Sequence, residues 1–298
     1  MKKLILVMFA ALALAGCGKG TDDPSDPSSG NNNLPDPAGY QMFTSISELK
    51  SWLAAQPDNT VATAYKVGLK DLYINAAWSD LGIALGSKFV DLNMQKCTSP
   101  AIPDGYYEYV NATSFIVHGA FVGSKLVAIT LPAGLQTIGK DAFYRCYSLS
   151  SVVLPDGLTE IHDCAFQMCS GITSITLPGS LTMIGDNVFD GCKIASIALP
   201  EGLKTIGLEA FRACPLTSVT VPSTVTAIGE WAFPYGVAAV VMRPATPPAL
   251  GGTGCFDTDA YSKLNPSLVI KVPAASVNSY KTAAIWSKYA ANIVADTN

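Results

Sequence analysis

The chain reads as a repeat solenoid, mainly β with short helical and 3-10 turns. Two markers and one composition fact predict it. Prolines at 132, 155, 178, 200 and 222 and phenylalanines at 143, 166, 189, 211 and 233 both step by 23, 23, 22 and 22 residues. Two independent markers in one rhythm mean one structural unit repeated, and a period of about 20–50 residues is the signature of stacked repeats. The 25 glycines and 19 prolines among 298 residues favour many turns over long helices.

Five segments carry the unit: LVAITLPAGLQTIGKDAFYRCYS (126–148), LSSVVLPDGLTEIHDCAFQMCSG (149–171), ITSITLPGSLTMIGDNVFDGCK (172–193), IASIALPEGLKTIGLEAFRACP (194–215) and LTSVTVPSTVTAIGEWAFPYG (216–236). The shared pattern is L-x-x-[IV]-x-[LV]-P-x-x-[LV]-x-x-I-G-x-x-A-F-x-x-C. Ile129 and Leu131 alternate with Ala128 and Thr130, the period-2 pattern of a short strand. Pro132 ends that strand because it cannot donate to a ladder. Leu135 and Ile138 form a second inward run, and Gly139 permits a turn. Ala142 and Phe143 set a small and a large apolar group at the next corner, and Cys146 closes the coil as a small buried side chain. A single coil leaves two apolar faces open, so only stacking stabilises it.

The ends of the stack are less regular. Stepping back 22 residues from Ala142-Phe143 reaches Ala120-Phe121, and from Ile138 it reaches Ile116. The same step maps Ile129 and Leu131 onto Tyr107 and Tyr109, the proline onto Val110 and the cysteine onto Ser124. This predicts six coils over 106–236, the first degenerate, as terminal repeats tend to be. Residues 40–105 read as a mixed α/β N-terminal cap. Ser45 and Glu48 have the spacing of a capping box ahead of Leu49, Trp52 and Leu53. A second short helix is expected within 75–86 and a strand at 89–94. Residues 237–298 read as a helical C-terminal cap. Strand-like runs VAAVVM and SLVIKV flank a Pro/Gly-rich loop at 244–254. Val277, Tyr280, Ala284, Trp286, Tyr289 and Ile293 then predict two short helices folded over the last strand edge, which left open invites aggregation.

Residues 1–16 stand apart from the fold. Lys2 and Lys3 precede an apolar run from Leu4 to Ala15, shorter than the roughly 20 residues a spanning helix needs and suited to a secretory signal. Leu14-Ala15-Gly16-Cys17 resembles the lipobox of bacterial lipoproteins. That resemblance implies an acylated Cys17 as first mature residue and a membrane attachment through several acyl chains. Residues 17–39, rich in Gly, Pro, Ser, Asn and Asp, form a lipidated flexible tether. Lys19 with Asp22 and Asp23 resembles the acidic signal that sends Bacteroidetes lipoproteins to the cell surface.

Composition narrows the function. There are 19 basic and 23 acidic residues, a formal net charge of -4, and only 14% charged residues. A nucleic-acid partner requires a basic face, so none is expected. Two histidines, His118 and His162, leave little for histidine chemistry. No G-x-x-x-x-G-K-[ST], G-x-S-x-G or H-E-x-x-H motif occurs. Gly251-Gly252-Thr253-Gly254 lacks the lysine of a phosphate loop and reads as a plain loop. Cys146, Cys169, Cys192 and Cys214 share one repeat position without the paired spacing of a zinc site, so they read as packing, their redox state open. His162-Asp163-Cys164 replaces Gly139-Lys140-Asp141 and reads as chance variation at an exposed corner. No metal and no cofactor is expected.

The repeat resembles the leucine-rich repeat of the Treponema pallidum type, found in BspA-like bacterial surface proteins, and residues 271–293 resemble a C-terminal cap attached to such repeats in Bacteroides lipoproteins. The resemblance implies a right-handed leucine-rich-repeat coil on a surface-exposed outer-membrane lipoprotein. It implies non-catalytic contact with host or bacterial surface proteins, some relatives being adhesins. A glycan-binding module, or an enzyme with its site in 40–105 or the C-terminal cap, are the alternatives. Outward strand positions such as Ser174/Thr176 and Ser196/Ala198 form a flat, small, uncharged row without the aromatic or arginine anchors of binding hot spots. The corner beside Ala-Phe is richer, with Tyr144, Arg145, Tyr147, Arg212, Trp231 and Tyr235 as candidate contacts. Trp231, at an expected exposed position, is the principal one.

Overall fold

The computed structural model describes residues 39–74, 78–99, 101–111, 114–257 and 265–297. The expected signal segment, Cys17 and the tether up to residue 38 lie outside them. Within the described residues the repeats line up in register along two parallel ladders. The first takes one two-residue strand from each coil: Thr137–Ile138, Glu160–Ile161, Met183–Ile184, Thr205–Ile206 and Ala227–Ile228. It continues to Ala101–Ile102 at one end and Ala249–Leu250 at the other, giving seven parallel strands. The isoleucines of the I-G pairs stand on one another, each at most 1% exposed.

The second ladder runs through the strand that precedes each proline. Leu126–Thr130 and Ser151–Val153 extend a sheet begun by Gln41–Phe43, Tyr65–Tyr73 and Val90–Thr98, all parallel. A second sheet holds Ser218–Val221, Ala239–Met242, Val269–Pro273 and Ile293–Asp296, also parallel. Between them, 172–177 and 194–199 form no ladder. Their inward Ile175, Ile197 and Leu199 are half-buried, whereas Ile129, Leu131, Val219 and Val221 are buried. The gap coincides with the shortening of the proline step from 23 to 22 residues.

The core is a column of rings. Phe121, Phe143, Phe166, Phe189, Phe211, Phe233 and Phe256 stack with centroids 5.0–6.1 Å apart and planes within 17°, inside the range of favourable offset aromatic pairs. Trp78 closes the column edge-on against Phe121 at 5.9 Å. At the far end Trp286 and Tyr289 cover Phe256 at 5.7 and 5.3 Å. Both tryptophans satisfy their polar edge: Trp78 Nε1 donates to Ala101 O at 3.0 Å and Trp286 Nε1 to Pro248 O at 2.7 Å. Beside the rings, each repeat thiol donates to the phenylalanine carbonyl of the preceding coil. Cys146, Cys169, Cys192 and Cys214 reach Phe121, Phe143, Phe166 and Phe189 at 2.9–3.3 Å. Ser124, at the expected cysteine position, places its hydroxyl 3.5 Å from Cys146 Sγ.

Three expectations are corrected at the ends. The strands of the first coil are not at Tyr107/Tyr109 and Ile116: Leu92 pairs with Ile129, and Ile102 with Ile138. Residues 106–111 and 114–118 instead form an antiparallel hairpin inserted before Ala120-Phe121. A gapless step of 22 residues cannot register an insertion, so it landed on the hairpin. Second, the stack runs past residue 236. Ala249–Leu250 and Phe256 continue both series, disguised by Leu250 and Cys255 in place of isoleucine and alanine and by prolines 244, 247 and 248. Third, the last residue of the expected C-terminal helices lies outside them. Helix α3 spans Val277–Thr282 and a 3-10 turn spans Trp286–Tyr289, but Ile293 opens a strand. That strand pairs with Val269–Pro273 and extends the sheet itself.

Residues 41–98 also join the sheet: helices α1 (Ile46–Ala55) and α2 (Trp78–Leu85) connect its parallel strands. The Ser45 side chain accepts from Glu48 N at 3.1 Å, while the Glu48 carboxylate reaches Thr44 N rather than Ser45 N.

The corners hold residues in the left-handed region. Immediately before the repeat cysteines and Ser124 stand Gly123, Arg145, Met168, Gly191 and Ala213, with φ between 55° and 75°. Glycine adopts this conformation freely, whereas an L side chain raises its energy by about 1–2 kcal/mol. At the I-G pairs, by contrast, glycine is needed for space: a Cβ on Gly207 would stand 2.4 Å from Gly185 C. Ala213→Gly is therefore expected to stabilise the protein by about 0.5–1 kcal/mol, and Gly207→Ala to destabilise it by about 3 kcal/mol or more. Urea unfolding midpoints check both signs.

Candidate functional site

The candidate surface is the row of corners between each phenylalanine and its cysteine. Backbone bonds to the next coil fix these corners. Arg145 N donates to Gln167 O at 2.9 Å, Met168 N to Asp190 O at 2.7 Å and Gly191 N to Arg212 O at 3.0 Å. The side chains thus leave a rigid backbone at regular intervals.

Of the six sequence-predicted contacts, Tyr144, Arg145 and Tyr147 share the first corner. The Arg145 guanidinium lies 4.9 Å from the Tyr144 ring centre, and Tyr147 is 52% exposed. Arg212 and Tyr235, three and four corners further on, meet each other: Arg212 lies 5.9 Å from the Tyr235 ring and pairs with Glu209 at 2.9 Å. Around them is an open concavity of about 520 Å³ lined by Asp190, Lys193, Arg212, Pro215, Pro234 and Tyr235, with Cys214 at its base. Gln167 Nε2 donates to Asp190 Oδ2 at 3.0 Å and links this concavity to the second corner. Asp190, Lys193 and Gln167 were not singled out from sequence, yet they occupy the same repeat positions as the residues that were.

Trp231 differs from expectation. It is half-buried, and its Nε1 is shielded from solvent without a hydrogen-bond partner among the described residues. The ring lies over the glycine loop of the next coil, where a Cβ on Gly254 would stand 2.1 Å from Nε1. Gly254 leaves the space this ring fills.

Burial holds five of the repeat and corner thiols in their neutral form. None of the seven cysteines from Cys97 to Cys255 forms a disulfide in the structure. Cys164 is half-buried rather than exposed; burial, with Asp141 adding to it, pushes its thiol up to about 12. Burial likewise pushes Cys214 up to about 12 and Cys255 up to about 11, and raises Cys169 and Cys192. A thiol must ionise to attack. His162 lies between two carboxylates, Asp104 and Glu160, at 3.0 Å from each. His118 ends the inserted hairpin opposite Tyr106. Among the described residues no group of three or more His, Cys, Asp or Glu side chains is placed to hold a metal ion. At pH 8, a thiol-specific disulfide reagent is expected to label these seven cysteines at least about tenfold more slowly in the folded protein than in urea, Cys164 first. Peptide mapping of the labelled sites checks the order.

Comparison with known proteins agrees with this geometry. The family model for the BspA type leucine rich repeat region matches residues 114–237 in six copies. A leucine-rich repeat protein of T. pallidum is 34% identical, the match covering 46% of this chain and 67% of that one, with a TM-score of 0.39. A leucine-rich repeat protein from Bacteroides ovatus is 26% identical, covering 57% of this chain and 46% of that one, TM-score 0.39. A leucine rich cell surface protein from Faecalibacterium prausnitzii is 17% identical over 78% of this chain and 66% of that one, TM-score 0.38. No match is found among curated proteins. With that repeat in six successive copies and its inward residues stacked in register, the chain belongs to the BspA-type leucine-rich repeat family.

Proposed function

We propose that this protein is a non-catalytic contact module at the bacterial surface, and that it meets a protein partner through the corners that carry Tyr144, Arg145, Tyr147, Arg212 and Tyr235. The carrying observation is the pairing of tyrosine with arginine on a fixed backbone at both ends of one face. Tyrosine and arginine dominate protein-binding hot spots because they combine large contact area with directed hydrogen bonds. Here their backbones are held by bonds between coils, so little ordering is needed on binding. Stacked repeats extend such a surface along their axis. The ring faces of Tyr144 and Tyr235 already face guanidinium groups. Sugar stacking would have to displace them, which favours a protein partner over a glycan. The open concavity and the raised thiols favour contact over catalysis.

The location rests on the N-terminal sequence. A charged start, a short apolar run and Leu14-Ala15-Gly16-Cys17 support acylation of Cys17 and an outer-membrane lipoprotein facing outward.

Two experiments test these readings. A panel of matrix and bacterial surface proteins, with a glycan array beside it, is expected to return a protein ligand. The Arg212→Glu/Tyr235→Ala double variant is expected to weaken that ligand at least about tenfold, with an unchanged melting temperature. A ligand whose affinity is unaffected by this variant and by Tyr144→Ala/Arg145→Glu would rule out the corner surface. In detergent phase separation the native protein is expected in the detergent phase and Cys17→Ala in the aqueous phase, read by immunoblot.

A further inference from the structure

The second coil breaks the repeat at one informative place. At the glycine of the I-G pair the successive coils carry Gly139, His162, Gly185, Gly207, Gly229 and Gly251. The glycines stand against the backbone of the coil before them. A Cβ on Gly139 would be 2.3 Å from Pro103 C and 2.5 Å from Asp104 N. Asp104 therefore lies beside a position that has no side chain. The His162 ring reaches past Gly139 to meet it, although 58 residues separate the two in sequence.

The contact has a specific protonation requirement. His162 Nδ1 is 3.0 Å from Asp104 Oδ1, and Nε2 is 3.0 Å from Glu160 Oε2. Both partners are carboxylates. An imidazole carries N–H on both nitrogens only when protonated; the neutral ring donates to one and turns a lone pair toward the other. Asp104 is also where the chain leaves the stack for the hairpin at 106–118. Apart from His162, that departure is held by Lys140 N donating to Asp104 Oδ1 and Gly105 N donating to Lys140 O, both at 2.6 Å.

We propose that His162 is a proton-dependent latch that fixes the inserted hairpin to the repeat stack. Charged, it clamps Asp104 to Glu160. Neutral, it releases one of them and leaves the base of the hairpin on its bonds to Lys140. The charged groups that act on the ring are Asp104 from the base of the insertion and Glu160 from the same strand, and Lys140 from the preceding coil acts on Asp104. Burial works against the imidazolium, but the bonds to Glu160 and Asp104 outweigh it and raise the His162 pKa above its ordinary value. For a base whose pKa is raised on folding, the stabilisation is complete below the unfolded pKa, about 6.5, and is lost as pH rises through the folded value. The latch closes in mild acid and opens toward alkaline pH. It does not depend on the corner surface and holds or fails separately from it.

Hydrogen exchange of the full chain at about pH 5.5, 7 and 8.5, with labelling times scaled for intrinsic exchange, tests the latch. Protection of peptides spanning 103–118 is expected to fall about tenfold across that range, while peptides from 183–233 hold theirs. His162→Gly, which restores the residue the repeat uses elsewhere, is expected to show the low protection at every pH. Protection of 103–118 that does not change with pH in the native protein overturns the proposal. So does a pH dependence that survives in His162→Gly, because His118 or the carboxylates would then be its source. Should that variant lose protection at 183–233 as well, the imidazole resonance of His162 decides in Asp104→Asn. A downward shift of its titration midpoint supports the latch, and an unmoved midpoint overturns it.

Discussion

Every buried ring and isoleucine of this stack meets the same residue of the coil before and after it. That is the constraint on which the structure depends. A coil of 22 or 23 residues encloses one phenylalanine, one small residue beside it, one isoleucine and a thiol. Taken alone, it would expose both faces of each. Stacked, Phe143 meets Phe121 and Phe166 at 5.0 Å on either side, and each thiol adds a second hydrogen bond to a carbonyl that already accepts an N–H within its own corner. Buried amides and carbonyls must find partners, and here the partners divide between residues of the same corner and residues one period away in sequence. Cooperativity between neighbours follows, as in other one-dimensional stacks.

The same constraint explains the ends. A column of flat rings needs a different group at each terminus, one that covers apolar surface and satisfies its own polar edge. Trp78 and Trp286 do this at opposite ends, each donating its indole N–H to a main-chain carbonyl. The polar fastening is stronger at the C-terminal end. There Lys288 pairs with the buried Asp257 at 2.6 Å, and Tyr280 donates to Pro244 O at 2.8 Å. Pro244 and Pro248 lack an N–H but keep their carbonyls, which are what the cap uses.

What the sequence made legible follows from this arrangement. Inward positions repeat because each must match its neighbour, so Phe, Ile, Cys and the strand-ending prolines could be read directly. Positions answerable to only one contact could not. The hairpin at 106–118 satisfies its backbone internally and leaves no mark on the period. The seventh coil keeps Phe256 but changes the residues around it, and so it passed for a cap. Tyr144, Arg145, Arg212 and Tyr235 were legible as corner residues, because the period puts them there. The half-burial of Trp231 was not, since it depends on Gly254 of the next coil. His162 was visible as a substitution for glycine; its partner Asp104, two coils back, is adjacent only once the stack forms.

The corners show where the stack admits variation and what it costs. Before the cysteine position, Gly123 and Gly191 adopt the left-handed conformation without strain, yet Arg145, Met168 and Ala213 occupy the same slot at φ of 55–62°. Each costs about 1–2 kcal/mol relative to a right-handed residue. The bonds from Arg145 N and Met168 N to the next coil hold them there all the same. No buried contact compensates Arg145, which is exposed, or Met168, 39% exposed. Strain retained on an outward side chain points to a use for that side chain outside the fold. The slot at Arg145 lies between Tyr144 and Tyr147, on the face assigned to partner contact. The backbone geometry and the chemistry of the side chains thus select the same corner for different reasons.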